Sequence, residues 1–384
     1  MQSFAEYLAD RGHQVTVICE FPNHPHGVLP SEYRGRLVED DRSKGYRVLR
    51  VWVKTNRRKT RTTRLAFYLS FMAMAATVAP VAGRHDVVLA TTPPIFVGAV
   101  GLAIARLTGA RFVLDVRDLW PAAAVALQEV GTGWQLRAAE RLERLLYRSA
   151  DLVTAVTRPF CDHIDAFRTC KPRATLLANG TVDAFFVDGD RSARKALEIG
   201  TDRFLVTFAG THGLAQALPS VLNASERTDG QVHFAFVGSG PVKESLVADA
   251  ARRGLANVTF HGQVQPEVAP RILAASDALL VPLSSHPTFH DFVPSKLIDY
   301  MATGRPVLLA AAGESAKILS DAGAGIAVPP EDPDALAAAA TWLAQNPQQG
   351  AEMGARGRAY ARSCTRLAQA QQLEELLLGP WRST

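Results

Sequence analysis

The chain has 384 residues, 47% hydrophobic and 21% charged, a mix that excludes disorder, collagen-like repeats and disulfide scaffolds and fits roughly two to three globular domains. Net charge is +5, unevenly spread: residues 32–64 carry twelve Lys/Arg against four Asp/Glu, a local +8 that leaves the rest of the chain at −3. Cys19, Cys161, Cys170 and Cys364 have no C-x-x-C spacing and no histidine partners at ligand spacing, which points to a reducing compartment and to no zinc or iron–sulfur site.

The opening MQSFAEYLADRGHQVTVI has acidic residues and a short apolar run where a signal peptide needs a basic end and a longer one, so export by that route is not expected. It reads as a helix followed by a strand. A doubly wound domain should open on a strand and a glycine-containing loop, so its first strand is expected to be missing, with the natural start upstream of Met1. Further along, the apolar runs QVTVIC, YRVLRVWV, DVVLATT, RFVLDVRD and LVTAVT alternate with helical patterns at residues 64–79, 98–108 and 134–147. Short Val/Ile/Leu/Phe runs between helices are the mark of parallel strands covered on both faces, so the fold class is α/β.

After the turn-rich stretch LLANGTVDAFFVDGDRS a second series follows: FLVTFAG, VHFAFVGSG, VTFHG, ALLVPL, PVLLAA and GIAVPP. The spacing predicts an N-terminal Rossmann-like domain at 1–178 and a C-terminal one at 179–360. A last helical segment at 361–384 is expected to pack back on the first domain. The tail 333–378 is Ala/Leu-rich and helical, with Gly354 and Gly357 as expected interruptions. EDPD at 331–334 reads as a helix start with favourable acidic charge.

Open parallel sheets bind ligands at the carboxyl ends of their strands. The second half places Gly210, Thr211, Gly213 and Gln216 after one strand and Gly238 and Gly240 after the next. Bare backbone N–H groups and helix N-termini there can approach an anion, although glycines at such turns are more often structural. In HPTFHDFVPSKLIDYMATGRP, Pro294 and Ser295 read as a helix start, with Lys296 and Asp299 three apart on one face. A cation at the positive end of a helix is unfavourable until an anion such as a diphosphate joins it; the bland alternative is a Lys296–Asp299 surface pair. Asp115 reads as a buried hydrogen-bonding partner.

The ordered set VRDLWP, FAGTHGLAQ, VGSG and VPSKLIDYMATGRP resembles the retaining glycosyltransferases of the GT-B fold, family 4, and within them the fucosamine, colanic-acid and O-antigen transferase branch. The resemblance spans nearly the whole chain. It implies two Rossmann-like domains facing a cleft, and a sugar moved from a nucleotide donor, expected to be uridine-linked, to a lipid-linked polysaccharide precursor. The two acidic positions of the family's E-x7-E pattern are Asp291 and Asp299 here. By the resemblance Asp299 sits near the ribose, Lys296 and Ser295 near the diphosphate, the main chain at Val264 at the base, and Asp118 opposite the reacting sugar on the acceptor side. Asp118 and Asp291 are the candidate catalytic residues. The scheme needs no metal and no cofactor beyond the donor, and the chain has no D-x-D triplet. A catalytically inactive homologue acting as a binding partner and a sugar-nucleotide epimerase are the alternatives.

Arg57, Arg58, Lys59, Arg61 and Arg64 directly precede LAFYLSFMAMAATVA, an uncharged apolar helix. Such a basic cluster beside an apolar face suits an anionic membrane surface, and no interleaved aromatics or motifs favour nucleic acid. The run is too short, and followed too soon by Pro80, to be expected to span a bilayer. The expected location is cytoplasmic, peripheral on the inner face of the plasma membrane. His24 and His26 lie in a loop where they could meet an acceptor.

Overall fold

Runs rich in Val, Ile, Leu and Phe satisfy both faces of a parallel strand, and all eleven such runs in this chain fold as strands. The computed structural model describes residues 1–23, 27–56, 60–126, 133–168, 172–189, 194, 203–228 and 230–379. They form two units, Met1–Ala178 with Gln369–Thr384, and Asn179–Ala368. Both are Rossmann-like, with strands flanked by helices and parallel except for one antiparallel pair in the first unit.

The first unit runs α1 Gln2–Asp10, β1 Thr16–Glu20, β2 Val38–Asp41, β3 Arg47–Val51, α2 Arg61–Ala82, β4 Val87–Thr92, α3 Ile95–Thr108, β5 Arg111–Val116, α4 Ala122–Ala126, α5 Trp134–Ser149, β6 Leu152–Ala155, α6 Arg158–Asp165 and β7 Thr175–Leu176. Its strands form two sheets, β1-β3-β2 and β4-β5-β6-β7. Among the described residues no strand pairs with the outer edge of β1 or of β4, and a doubly wound sheet places its first strand between those two positions. Both halves are bridged: α1 packs Phe4 towards Leu89 on one sheet and Ala5 on Tyr46 and Val48 of the other.

Two strands were not visible as apolar runs. β7 has two residues. β2 is VEDD, a poor strand sequence, held by cross-strand charge: Arg47 bonds Asp40 at 2.8 Å, and Arg50 reaches Asp41 at 2.9 Å and Glu39 at 3.0 Å. Arg47 and Arg50 are thus paired in place, with acids already counted in the local +8. Thr60 caps α2, accepting from Thr63 N–H. α2 buries Phe71, Ala75 and Val78 on Leu49, Val51, Val53 and Val100. Its outward residues Leu65, Leu69, Ala73 and Ala76 are exposed.

The second unit runs β8 Phe204–Ala209, α7 Leu218–Ser225, β9 Val232–Val237, α8 Lys243–Arg253, β10 Val258–His261, α9 Ala269–Ala275, β11 Ala278–Pro282, α10 Ser295–Ala302, β12 Val307–Ala310, α11 Glu314–Ala322, β13 Gly325–Val328, α12 Pro333–Gln345 and α13 Pro347–Ser363; α14, Arg366–Leu378, crosses into the first. Its sheet, β10-β9-β8-β11-β12-β13, is wholly parallel. This is the doubly wound order, with the reversal between β8 and β11.

Gly354 and Gly357 do not interrupt the C-terminal helices; they lie inside α13. A Cβ at Gly354 would come within 2.1 Å of Gly304 O, and one at Gly357 within 3.0 Å of Ala324 Cβ and 3.5 Å of Met301 Cβ. The helix uses glycine for close approach, which outweighs its poor propensity. The breaks fall at Asn346 and at Cys364–Thr365. Asp332 starts α12, its Oδ1 accepting from Asp334 N at 3.1 Å and Ala335 N at 3.0 Å. Cys19, Cys161 and Cys364 are free thiols; Cys170 lies outside the described residues.

Candidate functional site

The reversal between β8 and β11 opens the carboxyl edge of the second sheet, and the loops after both strands border it; Ser284 N–H donates to Ala215 O at 2.8 Å to tie them together. The residues expected to hold a donor converge here from separate elements. Gly210, Thr211 and Gly213 follow β8, Gly238 and Gly240 follow β9, Val264 follows β10, and Pro294 to Asp299 open α10.

α10 begins at Pro294 with no side-chain cap, so the N–H groups of its first turn are unoccupied by the protein's own side chains. Lys296 reaches back along the sheet edge: its Nζ donates to Ala209 O at 3.3 Å and sits 4.2 Å from the centroid of the Phe208 ring. A Cβ on Gly210, at φ +144°, would lie 2.6 Å from that ammonium, so glycine is needed for the lysine to enter. Tyr300 locks the same strand end, its hydroxyl donating to Ala209 O and accepting from Ala209 N, both at 2.8 Å. Burial pushes Lys296 down to about 8. The alternative of a Lys296–Asp299 surface pair is not what forms.

Asp299 is half-buried, and its Oδ1 is buried without a hydrogen-bond partner. Burial raises its carboxyl to about 6, against a hydrogen bond from Thr181 and the charge of Arg366. Thr181 and Arg366 come from the two ends of this unit, joined by the Thr181–Thr365 bridge and by Arg366 N–H donating to Thr181 O at 2.7 Å. Nearby, Asn179 Nδ2 donates to Val293 O at 3.2 Å, steadying the entry to α10. Asp291 and Ser295 are exposed.

The glycines divide by role. A Cβ on Gly238 would meet Gly210 O at 2.1 Å, and one on Gly240 would meet His212 O at 2.3 Å. These two let the β8 and β9 loops pack backbone to backbone, a structural reason sufficient by itself. Gly213 N–H donates to Gln216 Oε1 at 3.1 Å, so loop and side chain satisfy each other without a ligand. Thr211 is exposed, while Val264 packs beside Leu205, Val237 and Ile272.

Two neighbours carried no sequence signal as site residues. Lys243, opening α8, donates Nζ to Gly238 O at 2.7 Å and to His261 O, clipping the ends of β9 and β10; burial lowers its pKa. His212 is fully buried against Phe208 and Phe236 with neither ring nitrogen hydrogen-bonded. Burial, then the charges of Lys243 and Lys296, hold it down at about 4.

In the first unit, Asp115 on β5 is fully buried and accepts from Thr154 Oγ1 at 2.8 Å, Arg117 Nε at 2.9 Å and Thr91 Oγ1 at 3.3 Å. It is a structural hub, as expected. Asp118, three residues on, is half-exposed, with its carboxyl raised to about 6 by burial. Arg64 is half-buried at the start of α2. The side chain of Arg61, together with Arg57, Arg58, Lys59, His24 and His26, lies outside the described residues.

Comparison with known proteins agrees with this geometry. Residues 1–180 match the family model described as a glycosyl transferase 4-like domain, and residues 202–346 the one described as glycosyl transferases group 1. The chain is 27% identical over 347 residues to the putative colanic acid biosynthesis glycosyl transferase WcaI of Escherichia coli K12, covering 87% of this chain and 84% of that one. Among solved structures, sucrose-phosphate synthase from Thermosynechococcus elongatus superposes with a TM-score of 0.74 at 20% identity, covering 98% of this chain and 91% of that one. Anabaena HepE in complex with UDP-glucose gives 0.71 at 18% identity, covering 95% and 99%. With both halves matched in order and the doubly wound sheets in place, the chain belongs to the family 4 glycosyltransferases of the GT-B fold.

Proposed function

We propose that this glycosyltransferase moves a sugar, with retention of configuration, from a nucleotide-sugar donor to a lipid-linked polysaccharide precursor at an anionic membrane surface. The observation that carries the donor site is Lys296 at the uncapped start of α10, beside Gly210 at the sheet reversal. A leaving nucleoside diphosphate needs positive charge and N–H donors more than an acid–base pair. Lys296 and the first N–H groups of α10 supply both, and Asp299 Oδ1 has the free acceptor capacity a ribose hydroxyl would use. Acceptor attack on the face of departure, with a donor phosphate oxygen taking the proton, gives retention. Asp118 is the acceptor-side carboxyl and Asp291 the sugar-side one.

The likeness to WcaI, whose name places it in colanic acid biosynthesis, supports a polysaccharide precursor as acceptor. HepE, solved with UDP-glucose, supports a uridine-linked donor. The uncharged outward stripe of α2, Leu65, Leu69, Ala73 and Ala76, supports membrane contact; contrary to the expectation of too short a run, the helix at 62–82 is by length and composition long and apolar enough to cross a membrane.

The test is donor binding by calorimetry. Lys296→Ala removes a charge-assisted contact and is expected to weaken binding about 10- to 100-fold. Asp299→Ala weakens it as well, and unchanged affinity in both variants overturns the site. Mass spectrometry of nucleoside diphosphate release, with and without a polyprenyl-diphosphate sugar, then identifies the donor. Release that never depends on the acceptor argues against transfer.

A further inference from the structure

A carboxylate that is to accept from a ribose hydroxyl must stay charged, and burial works against the charge of Asp299. Nothing on its own helix compensates, because Lys296 and Tyr300 are both bonded to Ala209. Two groups from outside α10 oppose the burial: first a hydrogen bond from Thr181, then the charge of Arg366. Oδ1 is the oxygen without a partner, so Thr181 serves the other oxygen and leaves Oδ1 for a ligand. The Thr181 side chain is fully buried, and its hydroxyl has one proton to donate. Its other acceptor, Val182 O, lies at 3.5 Å, beyond the usual range, whereas a carboxylate binds such a proton strongly.

The mount beneath Thr181 is rigid. Its N–H donates to Cys364 O at 2.8 Å, and its O accepts from Arg366 N–H at 2.7 Å. Gly180 permits the approach, since a Cβ there would lie 2.6 Å from Thr365 C, and Arg366 Nε donates to Gly180 O at 3.3 Å. The other charges on elements packed against α10 are Asp183, on the turn 183–185, and Glu352, Arg356, Arg358 and Arg362 of α13. Arg358 is paired with Asp188 at 2.9 Å and Arg356 bonds Gly323 O at 2.8 Å. Asp183, Glu352 and Arg362 are exposed, where solvent screens them. β11 and β12 bring no charged residue.

We propose that Thr181 and Arg366 are positioning residues for the donor, holding the Asp299 carboxylate charged with Oδ1 free for a ribose hydroxyl. The inference rests on the donor-site reading above and adds two residues that act through Asp299. The test is calorimetry across pH with UDP-glucose and GDP-mannose, whose diphosphates carry no titrating proton near neutrality. T181V is expected to move the acid midpoint of binding up by about one pH unit. That weakens binding about 5-fold at pH 6 and about 2-fold at pH 7, and the two profiles converge at higher pH. R366Q moves the midpoint the same way by about half a unit. T181S, which keeps the hydroxyl, restores it, and in D299N neither change weakens binding further. R366Q keeps the backbone bond to Thr181, so it carries the test if thermal unfolding shows that T181V does not fold. An unmoved midpoint in a folded variant removes that residue from the role. The same loss at every pH, or a loss that persists in D299N, overturns the role altogether and leaves the donor site standing. Binding of neither donor by the unaltered chain overturns the donor-site reading, and this inference with it.

Discussion

Lys296 and Asp299 sit one turn apart on α10, and burial acts on them in opposite directions, down to about 8 for the lysine and up to about 6 for the aspartate. Both shifts favour the neutral form, because a half-enclosed site solvates charge poorly. A diphosphate needs the ammonium, so donor affinity falls as pH rises through about 8; a carboxylate accepting from ribose needs its charge, so affinity falls as pH drops through about 6. Titration calorimetry from acid to alkaline pH is expected to give a bell between those values. Asp299→Asn should remove the acid limb and Lys296→Met the alkaline one, and a profile flat across both limbs contradicts the assignment. His212 adds no cation here. At about 4 it is neutral at physiological pH and serves as a wedge between Phe208 and Phe236. Lys296 and Asp299 were legible in the sequence from their spacing and motif. Thr181 and Arg366, which set the surroundings of Asp299, were not, since they lie more than sixty residues away on either side.

At the scale of elements, buried strands were legible because a strand covered on both faces must be apolar along its length. β2 escaped because Arg47 and Arg50 hold it by charge. The glycines of α13 misled for a related reason. Glycine costs a helix about 1 kcal/mol against alanine, but only glycine lets α13 approach the turn after α10 this closely. Gly354→Ala should raise propensity and still destabilise, because its Cβ would meet Gly304 O at 2.1 Å. We expect a net loss of about 1–3 kcal/mol, read as a lowered midpoint in thermal unfolding. A raised midpoint would mean that propensity governs this helix after all.

At the scale of the whole molecule, the chain leaves the second unit through α14 and adds that helix to the first. Ala370 and Leu373 are buried against Phe4 and Leu177. Glu374 gathers Tyr7 Oη at 2.9 Å, His13 Nε2 at 2.8 Å and Arg11 Nε at 3.3 Å. Leu373→Ala is expected to cost the first unit about 2–5 kcal/mol by leaving a cavity. Differential scanning calorimetry checks this; equal midpoints for variant and parent would show that α14 does not stabilise that unit. Charge is likewise a matter of scale. The +8 over residues 32–64 is what remains after the acids of β2, which pair with Arg47 and Arg50, have been counted, while the arginines of α5, unremarkable in a count, line up on one exposed face.

The sequence by itself determined the α/β class, the two series of strands, the family and the residues proposed for the donor site, because hydrophobic periodicity and loop motifs are local properties of the chain. Tertiary structure decided what depends on distant residues meeting. It separated Gly238 and Gly240, which admit a neighbouring loop, from Gly210, which admits a lysine. It divided the first unit's strands into two sheets, β1-β3-β2 and β4-β5-β6-β7. It also turned evenly spaced arginines into a surface, because a helix sorts residues by angle only after packing has fixed which side faces the protein.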